Sequence, residues 1–296
     1  MNAMMARLFH AEVEGHRMAV LAFNEHLPGT PIVLIHGVLA SANFWHAGMM
    51  PAVAQRRWYS IGLPAHFPSE APPDFEHRSV DAGMFERLIS AALQAAVANQ
   101  PAILIGHSTG GFSALNLAVR QPERVKAVVS VGGFAQGPFN GFEGLVQKAA
   151  VLGGPVGCFL FWLQIKLTSL NPALCRWLSL SLASRWRDYL SWPHLQPQFR
   201  NFFPDTRQWD WRALFHLFRG IYRLDIRAQL SEVRCPVLVV AGTHDPVIPA
   251  GQPKLLQASI RHAEVAWLNG VGHMPFAEAP QAYEAAVTRF ISRYVD

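Results

Sequence analysis

The sequence predicts an α/β protein, a mostly parallel, doubly wound sheet carrying an inserted helical cap, and three observations predict it. Continuous apolar runs that read as buried strands, such as Ile32-Val33-Leu34-Ile35, Val125 to Val131 and Val237 to Val240, alternate with helix-compatible stretches. The alternation occurs on both sides of a gap, which implies parallel strands with helices on both faces. The gap, Phe134 to Glu232, breaks the rhythm and is too long for a structureless loop inside a domain. The chain therefore divides into a core of residues 1–133 and 233–296 and a helical cap of residues 134–232.

In order along the chain, Ala6 to Val13 and Arg17 to Phe23 flank Glu14-Gly15-His16 and predict an antiparallel hairpin. The strand Ile32 to Ile35 follows and ends in His36-Gly37-Val38-Leu39. A helix near Ala47 to Ala54, a strand at Arg57 to Ile61 and a proline-rich loop come next. Ser79 to Val97 has an apolar stripe at helical spacing with Asp81 near its start. Ala102 to Ile105 is the next strand, Phe112 to Val119 the next helix and Val125 to Val131 a further strand. Within the cap, Asn171-Pro172 predicts a helix start, and Leu174, Trp177, Leu178, Leu182, Trp186, Tyr189 and Leu190 predict one helical face. Asp205 or Thr206 is expected to cap a helix carrying Trp209, Trp211, Leu214, Phe215 and Phe218. Alternation then resumes with a strand at Pro236 to Gly242, a helix at Pro253 to Ser259, a strand at Ala263 to Leu268 and a closing helix from Phe276 to Val295.

Composition narrows the class. At 51% hydrophobic and 15% charged residues, the chain is not a disordered one. Cys158, Cys175 and Cys235 form no C-x-x-C pair, which predicts free buried thiols in a reducing compartment. The first twenty residues lack a basic segment followed by an apolar one, so no secretory leader is expected and the cytoplasm is the predicted location. Ala149 to Ile165 is strongly apolar, but Gly153, Gly154, Pro155 and Gly157 interrupt it; stable membrane insertion is not expected, and weak peripheral association stays open. No nucleic-acid partner is expected. The net charge of +5 lies wholly in the cap, which has 11 Lys and Arg against 6 Asp and Glu. Such a segment suits an anionic substrate, an acidic carrier or a membrane surface, or is simply a solvated arginine face. The cap also holds 18 of the 33 aromatic residues, either as its own core or as the wall of an apolar pocket.

Chemistry is signalled by Ile105-Gly106-His107-Ser108-Thr109-Gly110-Gly111, which closes one strand and opens one helix. Gly-x-Ser-x-Gly in that context places a serine on a sharp strand-to-helix turn, with glycines where strand and helix cross and a helix N-terminus behind the hydroxyl. A serine nucleophile needs a base, and the base an orienting acid, both from loops at the same end of the sheet. Asp245 follows the strand ending at Gly242, and His273 follows the strand ending at Leu268. Gly132-Gly133, after the preceding strand, offers no competing carboxylate. The candidate catalytic residues are thus Ser108, Asp245 and His273. No H-E-x-x-H or close ligand pair appears among the thirteen histidines, so neither a metal nor an organic cofactor is expected. His36, His107 and His244 are expected to support loops, and His46, His66, His194 and His216 are open as pocket or cap residues.

These motifs, His36-Gly37, Gly106-His107-Ser108-Thr109-Gly110-Gly111, Gly242-Thr243-His244-Asp245 and Gly272-His273, together resemble the α/β-hydrolase superfamily. The resemblance is to its cap-bearing esterases, lactonases, carbon–carbon hydrolases and cofactor-free haloperoxidase-like enzymes, and covers nearly all of the chain outside the cap. It implies an α/β-hydrolase fold and an oxyanion hole made by the backbone N–H groups of Val38 and Thr109. One departure is Gly62-Leu63-Pro64-Ala65-His66-Phe67, where relatives usually have Asp-Leu-Pro-Gly-His-Gly; that loop is expected at the pocket rim. A serine nucleophile disfavours dehalogenase and epoxide hydrolase chemistry. The expected activity is hydrolysis of a hydrophobic carboxylic ester or lactone through an acyl-enzyme on Ser108, the partner being a small hydrophobic acyl substrate. A thioesterase acting on acyl-CoA or an acyl carrier, a carbon–carbon hydrolase, and a catalytically silent binding protein are the alternatives.

Overall fold

A computed structural model describes residues 6–296, and eight strands form one sheet in it. The strands are β1 (Arg7–Val13), β2 (His16–Phe23), β3 (Ile32–Ile35), β4 (Trp58–Ile61), β5 (Ala102–His107), β6 (Val125–Val131), β7 (Val237–Gly242) and β8 (Ala263–Leu268). Their order across the sheet is β1-β2-β4-β3-β5-β6-β7-β8, with β2 antiparallel to β1 and β4 and every other neighbour parallel. Strands β3, β4 and β5 are buried along their whole length, which explains why they read as unbroken apolar runs. Two hydrophobic clusters cover the two faces. One packs helix α2 (Ala82–Val97) and helix α3 (Thr109–Arg120) against the sheet, and the other holds α1 (Pro51–Ala54) and the C-terminal helices. Asp81 caps α2 by accepting from Met84 N–H at 2.6 Å.

The chain leaves the sheet after β6 and returns to it at β7. Both ends of the excursion are tied together, Ile226 N–H donating to Ala135 C=O and Gly137 N–H to Leu224 C=O, each at 2.9 Å. Between them lie six helices, α4 (Gly141–Leu152), α5 (Gly154–Thr168), α6 (Pro172–Leu178), α7 (Trp186–Ser191), α8 (Leu195–Thr206) and α9 (Trp211–Ile221). The core closes with α10 (Gly251–Ser259), α11 (Pro275–Glu278) and α12 (Pro280–Ile291). No helix among the described residues is long and apolar enough to cross a membrane. The first five residues, part of the stretch read for a leader, lie outside the described residues.

Four local expectations are corrected. The stripe from Leu174 to Leu190 is not one helix: α6 stops at Leu178, and the Ser179 and Ser181 hydroxyls donate back to Arg176 and Leu178 carbonyls, the local bonding that competes with a continuing helix. Of that stripe Tyr189 is buried, whereas Trp177 and Trp186 are at least half exposed. Asp210 caps α9, accepting from Arg212 N–H at 2.9 Å, while Asp205 and Thr206 end α8. Asp205 instead accepts from Ser41 Oγ at 2.6 Å and Asn43 Nδ2 at 2.8 Å, tying the excursion to the core. The closing helix is split at Pro280, which cannot donate to the preceding turn. The helix expected over Ala47 to Ala54 begins only at Pro51, because a 3-10 turn over Ala42–His46 and a positive φ at Gly48 come first.

Candidate active site

Ser108 sits between β5 and α3 with φ 54° and ψ −118°, a conformation that L residues adopt only where their surroundings enforce it. Its N–H donates to Val131 C=O at 2.8 Å and its carbonyl accepts from Phe112 N–H at 3.1 Å. Backbones meet closely around it. A Cβ on Gly106 would lie 2.1 Å from the Gly110 carbonyl oxygen, and one on Gly110 would lie 2.1 Å from that of Ile35. The two glycines of the motif are therefore required by contact, and the serine between them is presented to a cavity at the N-terminus of α3.

Asp245 and His273 come from the loops after β7 and β8. His273 Nδ1–H donates to Asp245 Oδ2 at 2.8 Å, and Asp245 Oδ1 accepts from Val247 and Ile248 N–H at 2.8 and 2.9 Å. Burial opposes ionisation of this carboxyl, but the His273 ring and the two amides outweigh it and hold its pKa below the usual carboxylate value. His273 and Ser108 line the same cavity. No hydrogen bond joins the hydroxyl to the ring among the described residues; such contacts commonly tighten on substrate binding.

Val38 also lines the cavity, and Thr109 is the first residue of α3. Neither backbone N–H has a hydrogen-bond acceptor among the described residues, which leaves both free to serve a ligand oxygen. The loop carrying Val38 is fixed by two buried imidazoles. His36 donates from Nδ1 to Gly37 C=O at 2.8 Å and accepts at Nε2 from Leu63 N–H at 2.9 Å. His66 accepts at Nε2 from Leu39 N–H at 2.9 Å and donates from Nδ1 to Pro64 C=O at 2.9 Å. Each ring must be neutral to donate at one nitrogen and accept at the other. Burial pushes His66 down to about 4 and His36 well below its ordinary value. The 62–67 loop, expected at the pocket rim, does not line the cavity and instead braces the Val38 loop. His107 donates from Nε2 to the His273 carbonyl at 2.9 Å, with burial pushing its pKa down to about 3. The residue just before the serine thus holds the backbone of the candidate base. His46, His194 and His216 do not line the cavity.

The sequence reading missed Glu278. It is 1% exposed, and its carboxylate accepts from Gly272, Ser184 and Arg185 N–H at 2.7 to 2.9 Å and from Met274 N–H at 3.0 Å. It clamps both sides of His273 to the chain entering α7, and His273 N–H adds a bond to Leu182 C=O at 2.9 Å. Gly272 and Met274 lie only six and four residues before Glu278, but the fold alone brings residues 184–185 to them, so no local pattern announces the full clamp. Glu278→Ala should cost about 2–4 kcal/mol of unfolding free energy, because buried amides lose their acceptor. Urea titration measures the loss, and a mobile His273 loop should lower kcat more than it changes KM.

The cavity has a volume of about 420 Å³, in the range of small-molecule sites. Its wall is chiefly aliphatic, with leucines from α4, α5 and α6. Of the aromatic residues of the excursion, Phe139, Phe142, Phe199 and Phe202 line it, while Phe134, Phe161 and Phe218 are buried in the core. Glu143 is the one carboxyl on the wall; burial raises its pKa, and it accepts from Gln164 Nε2 at 3.1 and 3.2 Å. Cys175 also lines the cavity, but burial pushes its thiol up to about 12, which keeps it protonated and poorly nucleophilic. The three cysteines are unpaired, and Cys158 is only half-buried.

Residues 30–280 match the family described as the alpha/beta hydrolase fold. The chain belongs to that family. This α/β-hydrolase is 26% identical over 276 residues to a protein bearing the provisional name carbamate hydrolase RutD from Azorhizobium caulinodans, covering 92% of this chain and 95% of the relative. It is also 26% identical over 268 residues to a pimeloyl-[acyl-carrier protein] methyl ester esterase from Neisseria meningitidis, covering 90% of this chain and 78% of the relative. Among solved structures, the enol-lactonase from Burkholderia xenovorans LB400 superposes with a TM-score of 0.75 at 20% identity, covering 96% of this chain and 100% of that one. At that identity the superposition speaks for the fold, which is the one the sequence predicts.

Proposed function

We propose that this α/β-hydrolase cleaves a hydrophobic carboxylic ester or lactone through an acyl-enzyme on Ser108. The observation that carries this reading is the joint placement of Ser108 and the Asp245-bonded His273 on the wall of a mainly aliphatic cavity. The names of the relatives, an ester hydrolase and a lactonase among them, support it. In the proposed reaction His273 Nε2 takes the Ser108 proton as Oγ attacks the substrate carbonyl, and Asp245 holds the ring with Nδ1 protonated. The oxyanion is met by the N–H groups of Val38 and Thr109, each such donor contributing about 10²–10³ in rate. His273 then protonates the leaving oxygen, and water, activated by the same ring, releases the acid. Free, high-pKa thiols fit a reducing cytoplasm.

Labelling with a fluorophosphonate tests the assignment: wild type should label and Ser108→Ala should not. Equal labelling of both proteins would move the nucleophile elsewhere. With p-nitrophenyl esters, kcat/KM should climb from acetyl to medium chains as the aliphatic wall is covered; a best substrate at acetyl would contradict the apolar-cavity reading.

A further inference from the structure

Residues 142–190 contain five cations, Lys148, Lys166, Arg176, Arg185 and Arg187, against two acids, Glu143 on the cavity wall and Asp188, which pairs with Arg185 at 3.7 Å. The same region holds most of the apolar surface left in water. Of twelve exposed large hydrophobic side chains among the described residues, ten lie between Phe142 and Leu190. Isolated exposed leucines need no explanation, but such a concentration does.

Helix α5 shows how the surface is organised. Gly157, Phe161, Gln164 and Ile165, at helical spacing, face the interior. On another face Val156, Phe159 and Leu160 are 70%, 54% and 43% exposed, and Leu163 and Leu167, one and two turns further on, line the cavity. Lys166 is the only charged residue in its fifteen. A water-facing helix surface is ordinarily polar, and this one is not. On α4, Leu152 is 87% exposed, while Phe142 and Leu145 are at once exposed and part of the cavity wall. Apolar surface therefore runs from the outside of α4 and α5 into the chamber that holds Ser108.

From this continuity and the net positive charge around it, we propose that the α4–α5–α6 face docks on an anionic lipid surface and that the enzyme draws its acyl substrate from that surface into the cavity. Apolar side chains enter the headgroup boundary, cations meet the anionic headgroups, and exposed Trp177 of α6 suits the interface, where an indole has one wet edge. Docking stands on the surface alone; the delivery of substrate rests on the hydrolase reading.

The test is flotation of the full chain with vesicles of phosphatidylcholine alone or mixed equally with phosphatidylglycerol. Binding to the mixed vesicles should be at least tenfold tighter and should weaken as salt is added. Val156→Asp combined with Phe159→Asp, at exposed positions outside the cavity wall, should lose at least tenfold in vesicle binding while keeping the helical circular dichroism and the turnover of a soluble short-chain ester. Lys148→Glu with Lys166→Glu, at exposed positions on α4 and α5, should abolish the preference for anionic vesicles. No vesicle binding by wild type, equal binding by the aspartate variant, or a dimer on gel filtration that the aspartate variant dissolves would overturn docking, the last by assigning the face to a second copy. Vesicle binding without fluorophosphonate labelling would keep docking and remove the hydrolase reading.

Discussion

Replacing Asp245 with asparagine is expected to lower kcat about 10⁴-fold with little change in KM. The reason lies in the two oxygens of the carboxylate. Oδ1 is held by the amides of Val247 and Ile248, and only Oδ2 faces His273. In an asparagine the carbonyl oxygen must stay on the two amides, since an NH2 placed there would meet two donors. The NH2 then points at His273 Nδ1 and forces that nitrogen to accept. The ring proton moves to Nε2, the nitrogen proposed to take the serine proton, and the base is lost without any change of shape. Steady-state kinetics measure the fall, and ¹⁵N spectra of the imidazole report which nitrogen is protonated. Activity within tenfold of wild type would mean that another acid orients His273.

The second large effect is on stability in mild acid. His36, His66 and His107 are buried and neutral, with folded pKa values depressed by burial, to about 4 for His66 and about 3 for His107. An unfolded histidine takes up a proton near 6.5. Below that pH the unfolded chain binds protons that the native state refuses, so stability is full above about 6.5 and falls as pH drops toward the folded values. Each such histidine costs about 1.4 kcal/mol per pH unit in that window, and three of them remove on the order of 5 kcal/mol by pH 5. Marginal domains have only about 5–15 kcal/mol in total. Asp245, whose pKa is lowered, adds its own loss only at more acid pH, below the ordinary carboxylate value. Urea midpoints between pH 7 and 5 should therefore fall steeply. In His66→Gln, whose amide can still donate and accept, the slope should shrink by up to about a third, since one of the three fully buried imidazoles is gone while the less buried His16, His77 and His216 still titrate. An unchanged slope would show that His66 is not part of the effect.

Much of the core was legible because its central strands are covered on both faces and so have to be largely apolar. Ile32–Ile35 and Val125–Val131 have the bounds expected of them, and so does Ala263–Leu268, although it is an edge strand with only Leu268 buried. Ser108, Asp245 and His273 were legible for a similar reason. The chemistry restricts the residue types, and the sheet restricts where their loops can lie. Helices α6 and α7 were misread because Trp177, Trp186 and Leu190 carry the spacing of a buried face yet lie on the surface. Periodicity reports which residues share a side, not what covers that side.

What the sequence determined by itself is the sheet, the glycine contacts that shape the elbow and the identity of the three candidate catalytic residues, all properties of short segments whose backbone geometry limits the side chains. Tertiary structure alone decided that His66 braces the Val38 loop, that Glu278 joins the loop of His273 to residues 184–185, and that the exposed apolar surface of α4 and α5 is continuous with the cavity wall. Those roles depend on residues far apart in the chain meeting in space, and hydrogen bonds across such distances leave no local pattern to read.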